Sequence, residues 1–424
     1  MRSRVVITGL GIVAPNGVGV PNFLEAIKAG RSGITFHQEL ADLKFSCQIG
    51  GIPPITETHK HQYFSELQLH QLNSSGIIYG VIAGMEAWQN AGLPIANDEP
   101  DWESGIMFGT GILGIDKIRE AIYKVDQGQV RRLGSTAVVQ TMTSGVSAYL
   151  AGMLGCGNQI SANSSACATG TEALLIAYDR IALGQAKRML AGSCNDHGPY
   201  IWGGFDAMRV LPYQYNQTPE QGSRPMSATA SGFVPASGAG ALVLESLESA
   251  LARNATIYAE VLGGHVNSGG QRSGGTMTAP NPIAVSRCIQ KALEQAEIPP
   301  SAVDVIDGHL TATSKDPAEV SAWSDALGRR GKDFPYINSL KSMVGHCLSA
   351  AGSVECVASV LELRYGFIYP SINSETIHPE IESLIDSDKI PQQLIHKDVQ
   401  VIAKANFGFG DVNACAILKK FNLE

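Results

Sequence analysis

The order of predicted strands and helices is repeated along this chain, and the repeat restricts the fold more than any other feature of the sequence. Each half has a helix that stops at glycine or proline, apolar strands around a second helix, and a final apolar strand after a glycine-rich turn. In the first half these are the helix at 76–94, the strands at 104–111 and 159–166, the helix at 169–183, and the strands at 188–194 and 237–246. In the second half they are the helix at 281–300, the strands at 303–309 and 335–341, the helix at 352–366, and the strand at 408–420. Strands that alternate with helices predict an α/β fold.

The second helix of each half is predicted to lie inside the protein. Leu174, Leu175, Tyr178 and Ile181 put apolar side chains on more than one face of the helix at 169–183, and such helices are buried. One helix between sheets in each half makes five layers, α-β-α-β-α. We therefore expect two duplicated halves, residues 1–253 and 254–424, with residues 50–75 as an excursion on the surface.

Composition and charge exclude several classes of protein. The 424 residues carry a net charge of −8 with no basic stripe, so we expect no nucleic-acid partner. The N-terminus lacks the features of a signal peptide, and no uncharged apolar run reaches the length of a membrane span. The eight cysteines show no CxxC pair and no metal-ligand spacing. These features predict reduced thiols, no metal and a cytoplasmic location.

Cys167 is the predicted nucleophile. A lone cysteine is usually a small buried hydrophobe, but Cys167 lies where a strand turns into a buried helix, in "SANSSACATGTEA". The unpaired amides and the dipole of a helix N-terminus favour a thiolate, and they would also hold a thioester oxyanion. The small neighbours of Cys167 would let a substrate approach.

Two of the ten histidines are predicted to work with Cys167. His309 ends the strand at 303–309, and the carboxyl ends of strands are where α/β sites assemble. His346 precedes the second buried helix, whose dipole opposes a cation, so we expect a neutral imidazole that donates a hydrogen bond. A pseudo-twofold between the halves would bring Cys167 and His346 face to face.

Other motifs near these residues have plainer explanations. Lys341 and Glu355 flank His346 as either a solvated face or a buried pair that fixes its loop. Asp316 is interpreted as the N-cap of a helix, with Pro317 and Glu319 after it. The "GLGIVA" segment from Gly9 matches a dinucleotide fingerprint, but Pro15 and Gly17 stand where its helix should begin, so we reject nucleotide binding. The glycine-spaced loop "NFGFGDVN" is either an inert turn or a movable gate.

Together these motifs resemble the elongating β-ketoacyl-acyl-carrier-protein synthases of the thiolase superfamily over essentially the whole chain. The motifs "SACATGTEA", "DGHLTAT", "KSMVGH" and "NFGFG" occur in the family's order. The resemblance implies a five-layer thiolase-like fold, a homodimer, an acyl carrier protein as partner and no cofactor. It implies Cys167 as acyl acceptor, completed by His309 and His346 and supported by Lys341 and Glu355. It also implies that Phe407 is the gate and gives the second oxyanion amide, with Phe409 in the same loop.

Departures from the family pattern leave the substrate open. Leu310, Val344 and the Asp411-Val412 pair stand where glycine, threonine and Gly-Thr are usual, so a specialised polyketide or polyene pathway is an alternative to fatty-acid synthesis. Other readings also stay open. The chain could be a thiolase-type acyltransferase with Cys347 as its second cysteine, or one subunit of a heterodimer with a non-catalytic chain-length factor. A pure binding module would not need the Cys-His-His set.

The acyl pocket is predicted from the resemblance and from residue size. The stretch before the nucleophile that would cross to the other subunit has no aromatic residue between Tyr123 and Tyr149. The predicted substrate contacts are Ile112, Ala137, Gln140, Thr141, Thr311 and Thr313. Small and polar walls favour long, rigid or partly polar chains, because polar walls lose hydration against a saturated tail.

Overall fold

A computed structural model describes residues 2–422, and the paired strands found there account for both predicted halves. The strands are β1 (Val5–Ala14), β2 (Gly17–Val18), β3 (Ile34–Phe36), β4 (Ile49–Gly51), β5 (Ser104–Thr110), β6 (Ile160–Ser161), β7 (Arg188–Asn195), β8 (Gly238–Ser246), β9 (Ala259–Ser268), β10 (Val305–Asp307), β11 (Tyr336–Asn338), β12 (Phe367–Ile368), β13 (Ile395–His396), β14 (Val401–Gly408) and β15 (Val412–Lys420).

The helices lie between these strands in the order that the repeat predicts. They are α1 (Val20–Lys28), α2 (Gln38–Asp42), α3 (Glu57–His61), α4 (Glu66–Gln71), α5 (Ser75–Asn90), α6 (Ile115–Asp126), α7 (Ala137–Thr141), α8 (Gly145–Leu154), α9 (Thr169–Ala182), α10 (Pro199–Ala207), α11 (Leu247–Ala252), α12 (Pro282–Gln295), α13 (Asp316–Leu327), α14 (Lys341–Val344), α15 (Ala351–Tyr365) and α16 (Pro379–Glu382). Within the described chain, none of them combines the length and the apolar character needed to cross a membrane.

The main sheet contains the same strand pattern twice. Its first half runs β6-β5-β7-β8-β1 and its second half runs β11-β10-β14-β15-β9. In each half the three strands at the far edge are parallel, and the next strand, β8 or β15, is antiparallel to them. The two halves join edge to edge where Val5–Ile7 of β1 pair with β9. The predicted duplication is confirmed, and the structure adds that the two sheets form one continuous ladder.

The two halves of the sheet form two layers, and helices outside them and between them form the other three. Helix α5 packs outside β1, β7 and β8, and α12 packs outside β9 and β15. Helices α9 and α15 contact each other and lie against strands of both halves. Every residue from Ala351 to Leu363 of α15 is buried, as expected for a helix covered on all sides. The predicted α-β-α-β-α architecture is therefore confirmed.

The two inner helices meet at their N-termini through a pair of glycines. A side chain at Gly170 would overlap the backbone nitrogen of Ser353, and one at Gly352 would overlap the backbone nitrogen of Thr171. Glycine allows this close approach because it has no Cβ atom. The turns before α9 and α15 are thus side by side.

Some strands are shorter than the sequence predicts, and the residues they release form the site. The segment at 159–166 contributes only β6, and the segment at 303–309 contributes only β10. The dinucleotide-like segment is part of β1, and side chains at Gly9 and Gly11 would overlap the backbone of α5. These glycines serve helix-on-sheet packing, which agrees with the rejection of nucleotide binding.

Candidate active site

Two matching turns stand in front of the inner helices, with Cys167 in one and His346 just before the other. Cys167 lies in the turn Ala166–Ala168 before α9, and His346 lies just before the turn Leu348–Ala350 that leads into α15. Ala166 and Leu348 each adopt left-handed backbone, with φ of 49° and 52°. Strained turns of this kind persist where the surrounding structure fixes them, commonly at functional sites. The repeated turn delivers both side chains to one cleft.

The structure brings Cys167, His309 and His346 together. His346 Nε2 lies 3.2 Å from Cys167 Sγ, and the two imidazole rings have centroids 5.3 Å apart. Phe233 packs edge-on against His346, and Phe407 packs edge-on against His309. The two histidines are buried and Cys167 is partly buried. A substrate in this cleft would meet the thiol and both rings at once.

The thiol of Cys167 is not the preformed thiolate that its helix N-terminus predicts. Burial raises its pKa to about 11, although Lys341 and the backbone amide of Phe409 act in the opposite direction. The nucleophile is therefore held mainly as a thiol.

The second amide at Cys167 belongs to Phe409 and not to Phe407, which corrects the assignment taken from the resemblance. Phe407 is buried within β14, opposite Asn413 of β15. Phe409 begins the hairpin 409–411 that joins these strands, and its amide hydrogen-bonds the Cys167 thiol. Its ring is partly exposed and lies 6.1 Å from the ring of Phe205. A two-residue shift of this kind cannot be read from the glycine spacing, because the end of β14 decides it.

His346 is held as a neutral hydrogen-bond donor. Burial, with help from Lys341, lowers its pKa to about 3. The backbone amide of Leu348 donates to His346 Nδ1 at 3.2 Å, so the ring proton is on Nε2, which faces Cys167. This agrees with the neutral donor that the sequence predicts.

His309 is also neutral, since burial and the charge of Lys341 hold its pKa well below the usual value. Its backbone is fixed by Glu319, whose carboxylate accepts hydrogen bonds from the amides of His309 and Leu310 at 2.7 and 2.8 Å. Asp316 accepts from the amides of Met226, Thr311 and Ala312 and so holds the rest of this loop. Asp316 is thus structural as predicted, but it is the first residue of α13 and not its cap.

A buried network of charges lies behind the two histidines. Lys341 forms a short contact with Glu355, and Lys404 Nζ lies 2.8 Å from the other carboxylate oxygen of Glu355. Burial opposes ionisation of Glu355, but the two ammonium groups outweigh it and lower its pKa. Asp307 Oδ1 is 4.0 Å from Lys404 Nζ. Lys341 and Glu355 are thus the buried pair, the second of the two readings left open by the sequence.

Sequence reasoning missed Lys404, Asp307 and Asn406. The available signal was a lysine in the otherwise apolar strand segment "VIAKANFG" of β14. A charge at an interior strand position needs a buried partner, so Lys404 could have been paired with an acidic residue on a neighbouring strand.

The predicted pocket residues differ in their exposure and in whether their polar groups are available to a substrate. Ile112 follows β5 and is 44% exposed, and Ala137 and Thr141 lie partly buried on α7. The Gln140 side chain is buried and fully bonded to Gln71, Asn73 and Thr136, so its amide is not available to a substrate, contrary to the prediction. Thr311 and Thr313 are partly buried beside the His309 loop, where their hydroxyls are 3.1 Å apart.

The Cys-His-His cluster has the spacing of a metal site, but the protonation of His346 does not suit a metal ion. The ligand atoms of Cys167, His309 and His346 lie within 4.8 Å of one another. A metal needs a lone pair on the imidazole nitrogen that faces it, whereas the donor at His346 Nδ1 keeps its proton on Nε2. The arrangement instead presents N–H donors to a carbonyl oxygen next to a nucleophilic sulfur, which is the chemistry of acyl transfer through a cysteine thioester.

Comparison with known proteins agrees with this site. Residues 2–250 match the family model of the β-ketoacyl synthase N-terminal domain, and residues 258–375 match that of the C-terminal domain. The chain is 34% identical to the chloroplastic 3-oxoacyl-[acyl-carrier-protein] synthase I of Arabidopsis thaliana, over 99% of this chain and 87% of the relative. It is 33% identical to 3-oxoacyl-[acyl-carrier-protein] synthase 1 of Escherichia coli strain K12, over 98% of this chain and 99% of the relative.

Solved structures of similar shape include synthases of more than one kind. A β-ketoacyl synthase from Burkholderia phymatum superposes with a TM-score of 0.90 at 28% identity, covering 99% of this chain and all of that one. The AntDE:AntF complex, a type II PKS acyl-carrier protein with its ketosynthase bound to the hexaketide, gives 0.88 at 30% identity, with 99% and 100% coverage. The ishigamide ketosynthase/chain length factor gives 0.88 at 27% identity, with complete coverage of both chains.

The fold and the site define the class of thiolase-like condensing enzymes, which are acyltransferases. Within that class, the chain belongs to the β-ketoacyl synthase family.

Proposed function

We propose that the protein is a 3-oxoacyl-acyl-carrier-protein synthase that performs a decarboxylative Claisen condensation. The observation that carries the proposal is the pair of neutral imidazoles beside Cys167, each with its Nδ1 facing a hydrogen-bond donor. Both Nε2–H groups then point into the cleft. Two such donors suit a thioester oxygen that becomes negative during the reaction.

In the first stage, Cys167 takes the acyl group. Its sulfur attacks the carbonyl carbon of an acyl-carrier thioester, the carrier's sulfur leaves as a thiol with the proton from Cys167, and a thioester forms on the enzyme. The amides of Cys167 and Phe409 hold the intermediate oxyanion.

In the second stage, the histidines act on a malonyl-carrier. The bond to its carboxylate breaks, carbon dioxide leaves, and the electron pair becomes an enolate whose oxygen accepts hydrogen bonds from His309 and His346. The enolate carbon attacks the acyl-cysteine, a carbon–carbon bond forms, and the carbon–sulfur bond to Cys167 breaks. The released Cys167 thiolate takes up a proton from solvent. Lys341 and Glu355 support the loop of His346. Removing a single oxyanion donor costs about 2.7–4 kcal/mol of barrier in other enzymes.

Two other functions have less support. Cys347 is buried in the core and burial raises its pKa, so it is poorly placed as the second reactive cysteine of a thiolase. A specialised pathway is the second candidate, and the similarity to a ketosynthase of a type II PKS supports it. The partly buried hydroxyls of Thr311 and Thr313, next to His309 in the chain, would suit an acyl chain with polar groups.

The partners follow from the same proposal. An acyl carrier protein delivers both substrates. The second subunit is another copy or a chain-length factor, and it would cover the apolar side chains of Ile122, Tyr123, Val130 and Val138, each more than half exposed here.

We further place the boundary between the halves at 253/254, between α11 and β9. A cytoplasmic location is supported by eight free cysteines, and cell fractionation tests it.

The proposal is tested by separating acylation from decarboxylation. Wild-type protein incubated with acyl-carrier should gain one acyl group on Cys167, and Cys167→Ala should gain none. His309→Ala and His346→Ala should retain some self-acylation but lose carbon dioxide release from malonyl-carrier, because a donor and not a base is removed. Peptide mass spectrometry and carbon dioxide assays measure the two steps. Normal carbon dioxide release by both single histidine variants would reject the mechanism.

A further inference from the structure

Asn406 is a buried residue of β14 that contacts three groups around the site. Its Oδ1 accepts a hydrogen bond from the Thr171 hydroxyl at 2.6 Å, and its Nδ2 donates to Glu355 Oε2 at 2.8 Å. The same Nδ2 lies 3.3 Å from His309 Nδ1. The amide therefore connects the buried charge network to one of the two histidines.

The charge on Glu355 fixes which way this amide faces. A carboxylate accepts hydrogen bonds and cannot donate them, so the NH₂ group and not the oxygen of Asn406 faces Glu355. Lys341 and Lys404 are the two cations that keep Glu355 ionised. Lys404 Nζ is completely buried and also donates to the carbonyl oxygen of Ala405 at 2.6 Å, next to Asn406.

The orientation of Asn406 in turn decides the tautomer of His309. One N–H of the amide is directed to Glu355, and the other is available to His309 Nδ1. A donor at Nδ1 requires a lone pair there, so the single proton of the neutral ring is on Nε2. The backbone amide of Leu348 does the same for His346. The donor at Nδ1 is therefore a side chain for His309 and a main-chain amide for His346.

We propose that Asn406 is a positioning residue that holds His309 in its Nε2–H tautomer, and that Lys404 is the buried cation that keeps Glu355 able to orient this amide. Neither residue touches the reacting atoms. The consequence for the reaction rests on the proposed function, but the tautomer itself is a property of the free protein.

The test compares Asn406→Ala and Asn406→Ser with Asn338→Ala, in protein labelled with ¹⁵N-histidine. The His309 signals are identified by their loss in His309→Gln. Wild type should show a protonated Nε2 and an unprotonated Nδ1, and both Asn406 variants should shift toward the Nδ1–H form. Asn338 is a matched control because it is a buried amide that donates to Glu362 and not to a histidine. Its variant should keep the wild-type His309 signals.

Activity gives the second readout. The Asn406 variants should release carbon dioxide from malonyl-carrier at least about tenfold more slowly, while self-acylation of Cys167 changes by less than about threefold. The serine variant adds no charge and guards against misfolding of the alanine variant. Wild-type His309 signals in a folded Asn406 variant, or an Nδ1–H tautomer in the wild type, would overturn the proposal. Absence of carbon dioxide release by the wild type would instead reject the proposed function, whatever the tautomer.

Discussion

Cys167 must ionise inside a cleft that opposes its charge. Its thiol has a pKa of about 11. Each nearby imidazole faces a donor at Nδ1 and so carries its proton on Nε2, and neither ring can take the proton of Cys167. What favours the thiolate is first the positive charge of Lys341 and then the backbone amide of Phe409. His346 Nε2 also lies 3.2 Å from the sulfur. Lys341 and the Phe409 amide remain when His346 is replaced, so the His346→Ala variant is expected to keep part of its self-acylation.

Alkylation of Cys167 by iodoacetamide is predicted to accelerate about tenfold per pH unit between about pH 7 and pH 10, since only the thiolate reacts. A raised pKa leaves the thiol protonated throughout this interval, so the reactive fraction grows until the pH approaches 11. The rate is measured by mass spectrometry, with Cys167→Ser as the background because the other seven cysteines are buried. A plateau near pH 8 would show that the donors outweigh burial.

The sequence identifies the chemistry of the site better than its supporting contacts. Cys167, His309 and His346 could be predicted because each follows a strand or precedes a buried helix, and the repeat places two of them side by side. The roles of Phe409, Lys404 and Asn406 depend on where β14 ends and which of its faces meets α15. Strand registers are set by tertiary packing, so neither fact is visible in the motif.

At the level of elements, the hairpin 409–411 is anchored more firmly than its glycines suggest. Asp411 adopts left-handed backbone with φ of 62°, and its carboxylate accepts hydrogen bonds from the amides of Gln271 and Asn281 at 2.9 and 2.8 Å. Its carbonyl oxygen accepts from Gly269, and the amide of Gly410 donates to Met277. Movement of this hairpin, with Phe409 at its start, would therefore carry the loop 269–281 with it or break these bonds.

Asp411→Gly is predicted to destabilise both the hairpin 409–411 and the loop 269–281. Glycine relieves the left-handed backbone but removes two hydrogen bonds to a carboxylate, for a net loss of about 1–3 kcal/mol of stability. Hydrogen exchange should become faster in the hairpin and in 269–281 together, as measured by mass spectrometry. Asp411→Asn is the graded comparison, because it tolerates the left-handed region but keeps only one of the two acceptor oxygens, so its exchange rates should lie between those of the wild type and Asp411→Gly. Faster exchange in the hairpin alone would contradict the coupling.

For the whole molecule, the distribution of exposed apolar residues bears on both the proposed dimer and the substrate. Ile122, Tyr123, Val130 and Val138 belong to one stretch of chain around α6 and α7, and Val138 is 72% exposed. In the proposed dimer, the second subunit would cover these exposed apolar side chains. Ile112 lies just before this stretch, at the end of β5, so an acyl pocket bounded by Ile112 would continue into the subunit interface.

The last prediction concerns the length of the acyl chain that this pocket accepts. Ala137 begins α7 and its small side chain is partly buried beside the exposed Val138. In the proposed dimer, Ala137→Phe would place a ring where the end of a long chain passes between the subunits. The longest accepted acyl group should become shorter, whereas short acyl groups should react at nearly the wild-type rate because their ends stay near Cys167. Each methylene excluded from an apolar contact costs about 0.8 kcal/mol, so the cut-off should be sharp, within two or so chain extensions.

Mass spectrometry of products from a graded series of acyl-carriers measures this cut-off in chain length. Ala318→Phe, on an exposed position of α13, adds the same ring elsewhere and should leave the profile unchanged. If Ala137→Phe keeps the same wild-type chain-length profile as Ala318→Phe, the pocket lies away from α7. The argument for long or partly polar substrates across the interface then fails.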